Sequence, residues 1–258
     1  MERTTSADGT PIAWHRVGHG PVVVIVGGAF STAPDAAPLA DALDARGLAG
    51  VTYDRRARGD SGDTAPYAPD RETEDLAAVI QATGGVAAVL GHSSGAVLAL
   101  YAASRGVPMT RLFLSEPPFR FGVDEPAPDL PERLQALVDS GDRGGAVTTF
   151  QIEGVGLPAE MVEQIRQSPI FPGLEAVAQS TVYDATLTRD VSTPTVAMRE
   201  VGNDVTVLLG SETFPILTAA AHRLVDEMPQ AELVEVPESK GHRPDPAATA
   251  AVIAARVA

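Results

Sequence analysis

From residue 10 onward, short apolar runs alternate with stretches whose apolar residues recur at helical spacing. "VVVIV" (22–26) is a continuous β-branched run, the pattern of a strand covered on both faces. "TPIAWHRV" (10–17) alternates roughly and ends at the turn "GHGP". "GVTYD" (50–54), "VAAVL" (86–90), "TRLFLS" (110–115), "DVTVLLG" (204–210) and "AELVEVP" (231–237) predict further strands. Between them, "DAAPLADALDARG" (35–47), "RETEDLAAVIQATG" (71–84), "SGAVLALYAAS" (94–104), "FPILTAAAHRLVDEMP" (214–229) and "DPAATAAVIAARVA" (245–258) predict helices. The acids opening the 71–84 segment suit the positive end of a helix dipole. Strands alternating with helices predict an α/β fold with a mostly parallel, doubly covered sheet.

The alternation breaks between residues 117 and 200. That stretch carries prolines, acids and helical segments such as "PERLQALVDSG" and "PAEMVEQIRQS", and no convincing strand. It is longer than ordinary connections between elements. The expected organisation is a core built from residues 1–116 and 201–258, interrupted by a helical cap at 117–200.

Charge and composition narrow the partners. The net charge of −15 repels phosphate backbones, so no nucleic-acid partner is expected, and anionic membrane surfaces are disfavoured. No apolar run approaches the ~20 residues of a membrane span. The first residues, "MERTTSADGTPIAWHR", lack the apolar core of a secretory signal, which makes a cytoplasmic protein the expectation. With no cysteine, disulfides, thiolate catalysis and cysteine-ligated zinc are excluded together. The five histidines have no metal-site spacing, so neither a metal nor another cofactor is expected.

The candidate chemistry lies in "AAVLGHSSGAVLAL" (87–100), where a G-x-S-x-G match falls between an apolar strand and an apolar helix. Gly91 and Gly95 allow strand and helix to approach closely, and Ser93 projects from the turn as a nucleophile. The Ser94 N–H then points toward a developing oxyanion at the helix N-terminus. The alternative is that Ser93 and Ser94 merely cap the helix.

With this turn in place the chain resembles the α/β-hydrolase superfamily along nearly its whole length. "YDRRARGDSG" (53–62) is similar to the D-x-R-G-x-G-x-S segment after that fold's fourth strand, with Ala57 in a slightly altered spacing. "VVVIVGGAF" is similar to the third strand and its H-G-x oxyanion loop, with Gly27 in place of the histidine and Ala29 supplying the second oxyanion N–H. "VPESKGHRPDP" resembles the loop that carries the catalytic histidine after the eighth strand, which implies that His242 is the base.

The acid has two candidates. The usual family position, three residues beyond a glycine after the seventh strand, holds Thr213 in "LLGSETFP", with Glu212 one residue early. "RLFLSEPPF" offers Glu116 just after strand six, resembling haloalkane dehalogenases that place their acid there. Glu116 is the expected acid and Glu212 the reserve. His92 is expected to point away from Ser93, and His222 to be a surface histidine. Arg55, Arg56 and Asp60 are expected to hold their loop by salt bridges.

The resemblance implies a serine hydrolase that cleaves a small to medium, largely apolar carboxylic ester or lactone through an acyl-enzyme. Phe30, Phe119, Phe121, Phe150, Met161, Phe171 and Tyr183 are candidates to line its small-molecule substrate pocket beneath the cap. A binding protein of the same fold without turnover, a cofactor-free haloperoxidase and a carbon–carbon bond hydrolase stay open as alternatives.

Overall fold

The computed structural model describes residues 1–257 and centres on an eight-stranded sheet of order β1-β2-β4-β3-β5-β6-β7-β8. The strands are β1 (Glu2–Thr5), β2 (Pro11–Val17), β3 (Val22–Val26), β4 (Ala49–Tyr53), β5 (Ala87–His92), β6 (Met109–Ser115), β7 (Asp204–Ser211) and β8 (Ala231–Lys240). From β4 to β8 neighbours run parallel, whereas β1 and β2 form an antiparallel edge. The helices of the first half are α1 (Ala37–Asp44), α2 (Pro69–Thr83) and α3 (Ser94–Ser104). Between β6 and β7 lie α4 (Leu130–Asp139), α5 (Arg143–Thr149), α6 (Ala159–Arg166), α7 (Phe171–Ala176), α8 (Gln179–Asp190) and α9 (Val196–Arg199). The chain then adds α10 (Pro215–Glu227) and α11 (Pro246–Val257).

Because side chains alternate across a strand, β3 feeds both faces of the sheet. Val24 and Val26 pack with Leu76, Ile80, Leu98 and Leu224 from α2, α3 and α10. Val23 and Ile25 pack with Leu39, Leu43 and Ile253 from α1 and α11. The continuous apolar runs therefore mark strands buried on both sides. A third cluster, around Leu130, Leu134, Val147, Phe171 and Val182, holds the helical insertion together. Its two ends rejoin the sheet core through Phe119, Phe121, Leu187, Val191 and Met198. No described helix is long and apolar enough to cross a membrane.

Several boundaries differ from the sequence expectation. β1, "ERTT", is absent from it because an exposed polar edge strand carries no apolar period. The available signal was the Asp8-Gly9 turn, in which Ser6 and Thr10 close the hairpin by backbone bonds and Gly9 takes positive φ. The helix expected over 35–47 splits into a 3-10 turn at Ala33–Ala36 and α1, with Pro38 in its first turn. β8 continues past Pro237 to Lys240, which brings the following loop beside the end of β7. Ala258, included in the expected last helix, lies outside the described residues.

Candidate active site

β5 runs into α3 through a single residue, Ser93, whose φ of 54° and ψ of −127° are costly for a side chain with a β-carbon. Such a conformation costs of order 1–3 kcal/mol and persists only where the surroundings impose it. Here the helix is pressed against β3: a β-carbon on Gly95 would lie 2.3 Å from the Val26 carbonyl oxygen. The Ser93 side chain makes no capping bond to α3. The Ser94 hydroxyl instead accepts from Arg55 Nη1 at 3.2 Å. Helix capping therefore explains neither serine.

β6 and β8 deliver the next two groups. Glu116 follows β6 directly, with positive φ, and is only 3% exposed. His242 follows β8, also at positive φ, and its Nδ1 lies in hydrogen-bonding contact with Glu116 Oε2. The Gly210 N–H donates to Glu116 Oε1 at 3.0 Å, and the Thr213 hydroxyl donates to Oε2 at 3.0 Å. Burial raises the Glu116 carboxyl, but its bond to His242, the His242 charge and these two donors outweigh burial and hold it below the usual carboxylate range. An ionised Glu116 accepts from His242 Nδ1–H and fixes that proton in place. Nε2 is then the basic ring nitrogen, and it has no hydrogen-bond partner among the described residues.

The loop after β3 passes close over the serine turn. A β-carbon on Gly28 would come within 2.9 Å of Ser93 Cβ, so only glycine allows this approach. Neither the Ala29 N–H nor the Ser94 N–H donates to any protein acceptor among the described residues, and both residues line the same cavity as Ser93 and His242. The cavity measures about 530 Å³. A strained serine, a carboxylate-held histidine and two free backbone donors thus share one cavity.

The Alpha/beta hydrolase family model matches residues 19–255. The chain belongs to the alpha/beta hydrolase family. An alpha/beta hydrolase from Sphaerobacter thermophilus is 45% identical, with a TM-score of 0.91 over 98% of this chain and 99% of that one. A thermophilic esterase from Thermogutta terrifontis is 20% identical, with a TM-score of 0.72 over 100% of this chain and 97% of its own. The enol-lactonase from Burkholderia xenovorans is 17% identical, with a TM-score of 0.67 over 91% of each chain. The last two likenesses are of fold. No curated protein matches the sequence.

In this hydrolase the two acid candidates separate clearly. Glu212 is 71% exposed and pairs with Lys240 Nζ at 3.1 Å, and it makes no hydrogen bond to His242 among the described residues. The pocket expectation needs more correction. Of the seven residues proposed for it, only Phe150 lines the cavity. Phe119 and Phe121 belong to the sheet core, where Arg223 stacks over the Phe121 ring at 4.5 Å. Phe171 is buried inside the helical insertion, Tyr183 stacks on Tyr67 at 3.9 Å with its hydroxyl donating to Asp63, and Met161 faces outward. Phe30 packs edge-on against Phe150, with centroids 5.6 Å apart, and braces the wall from behind. The missed lining comes from Leu157 and from Phe214, Ile216 and Leu217 around the start of α10. No motif marks these residues; only their place just beyond β7 connects them to the site. Asp60, expected in a salt bridge, has none among the described residues, although its N–H donates to Asp54 at 2.9 Å.

His92 lies nearer the site than expected, its ring 4.6 Å from that of His242 and its Nδ1 3.3 Å from the Ser115 hydroxyl. Burial, with the His242 charge adding to it, pushes His92 down from 6.5 to about 3. Folded, the ring stays neutral; unfolded, it takes a proton below 6.5. Its contribution to stability is therefore complete above that pH and is lost as pH falls toward about 3. Glu116 adds a second loss below 4.5, because its carboxyl is held down only in the folded state. Urea unfolding between pH 7 and 4 should show stability falling with acid, and His92→Gln should flatten the part above pH 4.5. Identical slopes in the two proteins would mean that His92 protonates freely in the fold.

Proposed function

We propose that this hydrolase cleaves small to medium, largely apolar carboxylic esters or lactones through an acyl-enzyme on Ser93. The observation that carries the reading is the bond between Glu116 and His242 Nδ1 beside a serine held in a strained turn. Ser93 Oγ attacks the acyl carbon as His242 Nε2 takes its proton, and Glu116 stabilises the imidazolium. The Ala29 and Ser94 N–H groups receive the oxyanion. The tetrahedral intermediate expels the alcohol, which takes the proton from His242. Water then attacks the acyl-enzyme with His242 again as base, releasing the acid and restoring Ser93. In this reading the helical insertion, expected over 117–200, acts as the cap.

The substrate class rests on the cavity. Its size falls in the range of small-molecule sites, and Phe150, Val155, Leu157, Phe214, Ile216 and Leu217 supply apolar walls. Asp124, Glu125 and Glu153 outnumber Arg120 in the lining, which favours neutral over carboxylate-bearing acyl groups. The esterase and the lactonase of similar fold agree with this class. The test is stoichiometric labelling of the protein by a fluorophosphonate, together with turnover of p-nitrophenyl esters of increasing acyl length. Ligand binding without labelling or turnover would instead identify a binding protein. Phe150→Leu should shift the kcat/KM ratio of hexanoate over acetate by about tenfold, the scale of a methylene-sized change in a pocket. Phe171→Leu should lower the melting temperature and leave the chain-length profile unchanged.

A further inference from the structure

Behind the loop that carries Ala29 lies a buried cluster of two arginines and two carboxylates. Arg55 is bound bidentately by Glu72 of α2, at 2.6 and 2.8 Å. Asp184 of α8, fully buried, takes Arg55 Nη1 on one oxygen at 2.9 Å and Arg58 Nη2 on the other at 2.7 Å. The charges balance, two against two. Further bonds from both arginines reach the loop after β3 and the start of α3, while Arg58 Nε is buried without a partner among the described residues. Arg58 Nη1 donates to the Gly28 carbonyl oxygen at 2.5 Å, while Arg55 Nη1 reaches the Gly27 carbonyl and the Ser94 hydroxyl, each at 3.2 Å.

The Gly28 carbonyl and the Ala29 N–H belong to one planar trans peptide, so they point in opposite directions. Whatever holds the carbonyl aims the N–H. A cation on the carbonyl oxygen also polarises the peptide and strengthens its N–H as a donor. The other proposed donor, the Ser94 N–H, sits on a residue whose side chain is tied to Arg55. Both donors are thus referred to the same anion, Asp184, which is carried by the helical insertion rather than by the sheet.

We propose that Arg58, anchored by Asp184, is a positioning residue of the oxyanion hole, and that α8 thereby forms part of the catalytic framework. This rests on the reading of Ala29 and Ser94 as the oxyanion donors. Arg58 touches no reacting atom; it acts through the Gly28–Ala29 peptide. A guanidinium spans Asp184 and Gly28 with two separate nitrogens, which the single ammonium of lysine cannot do.

The test compares wild type with Arg58→Lys and Arg58→Gln on a p-nitrophenyl ester and on an alkyl trifluoromethyl ketone, which forms an oxyanion adduct with an active-site serine. The expected result is a 10- to 100-fold fall in kcat with KM within threefold of wild type. The Ki of the ketone should rise by the same factor as kcat/KM falls. A purely structural role would lower the melting temperature without moving Ki in step with kcat/KM. Arg58 variants with wild-type kcat, or with reduced kcat and unchanged Ki, overturn the proposal. If neither variant folds, Asp184→Asn, which keeps Arg58 and removes its anchor, reads the same pair of quantities, and an unchanged Ki there overturns it as well. A wild-type protein that neither labels nor turns over ester would instead remove the underlying active-site reading.

Discussion

Ser93→Ala is expected to lower ester turnover by about 10⁴-fold or more while the fold is retained. The hydroxyl is the only group removed, and the backbone donors at Ala29 and Ser94 stay in place, so residual catalysis above the uncatalysed rate should persist. Fluorophosphonate labelling should vanish in the same variant. The backbone supplies a second and independent readout. Serine and alanine both hold a β-carbon at φ 54°, whereas glycine adopts this conformation without strain. Ser93→Gly should therefore match Ser93→Ala in lost turnover yet be more stable by about 1 kcal/mol in urea unfolding. Stability gained by removing the β-carbon that carries the reactive hydroxyl is the signature of strain kept for function. A Ser93→Ala variant near wild-type activity would remove the nucleophile assignment. A Ser93→Gly variant no more stable than the alanine form would show that the turn is not strained in solution.

What the sequence made legible follows from which signals are local. Strands buried on both faces read as unbroken apolar runs, so β3 and β5 were plain, and the glycines at 91 and 95 marked the serine turn between β5 and α3. β1 was not legible, because an edge strand of four exposed or half-exposed residues is defined by its partner β2 rather than by its own pattern. The acids of α2 were read only in part: Glu72 does lie in the first turn, as the helix dipole favours, but that pattern did not show that Glu72 and Asp75 face inward to Arg55 and Arg56. Arg58 lies in the segment similar to D-x-R-G-x-G-x-S, but nothing local told its role, since its partners, Gly28 and Asp184, lie 30 and 126 residues away. Aromatic residues in the insertion were visible as apolar, but whether a phenylalanine faces a cavity or a helix interior depends on packing. Phe150 and Phe171 share one cluster, and only the first reaches the cavity.

Glu116→Gln is expected to lower kcat by roughly 10²–10⁴-fold with KM little changed. Glutamine keeps the size of the side chain and can still accept from Gly210 or His242, but it carries no charge to stabilise the imidazolium formed as Ser93 attacks. Its amide also brings a donor toward His242 Nδ1, and one way to satisfy that donor is the wrong ring tautomer, with the proton on Nε2 and no base facing the cavity. Both effects act on the transition state, which is why binding should survive. Glu212→Gln should lower kcat less than about tenfold, because its carboxylate is exposed and paired only with Lys240, an interaction worth little in solvent. Thr213 offers an intermediate check. Its hydroxyl donates to the same Glu116 oxygen that holds His242, so Thr213→Val should cost less than Glu116→Gln and more than Glu212→Gln. Steady-state kinetics on the three purified variants, with circular dichroism to confirm folding, reads the order directly. A large loss at Glu212 beside a mild one at Glu116 would reverse the assignment of the acid.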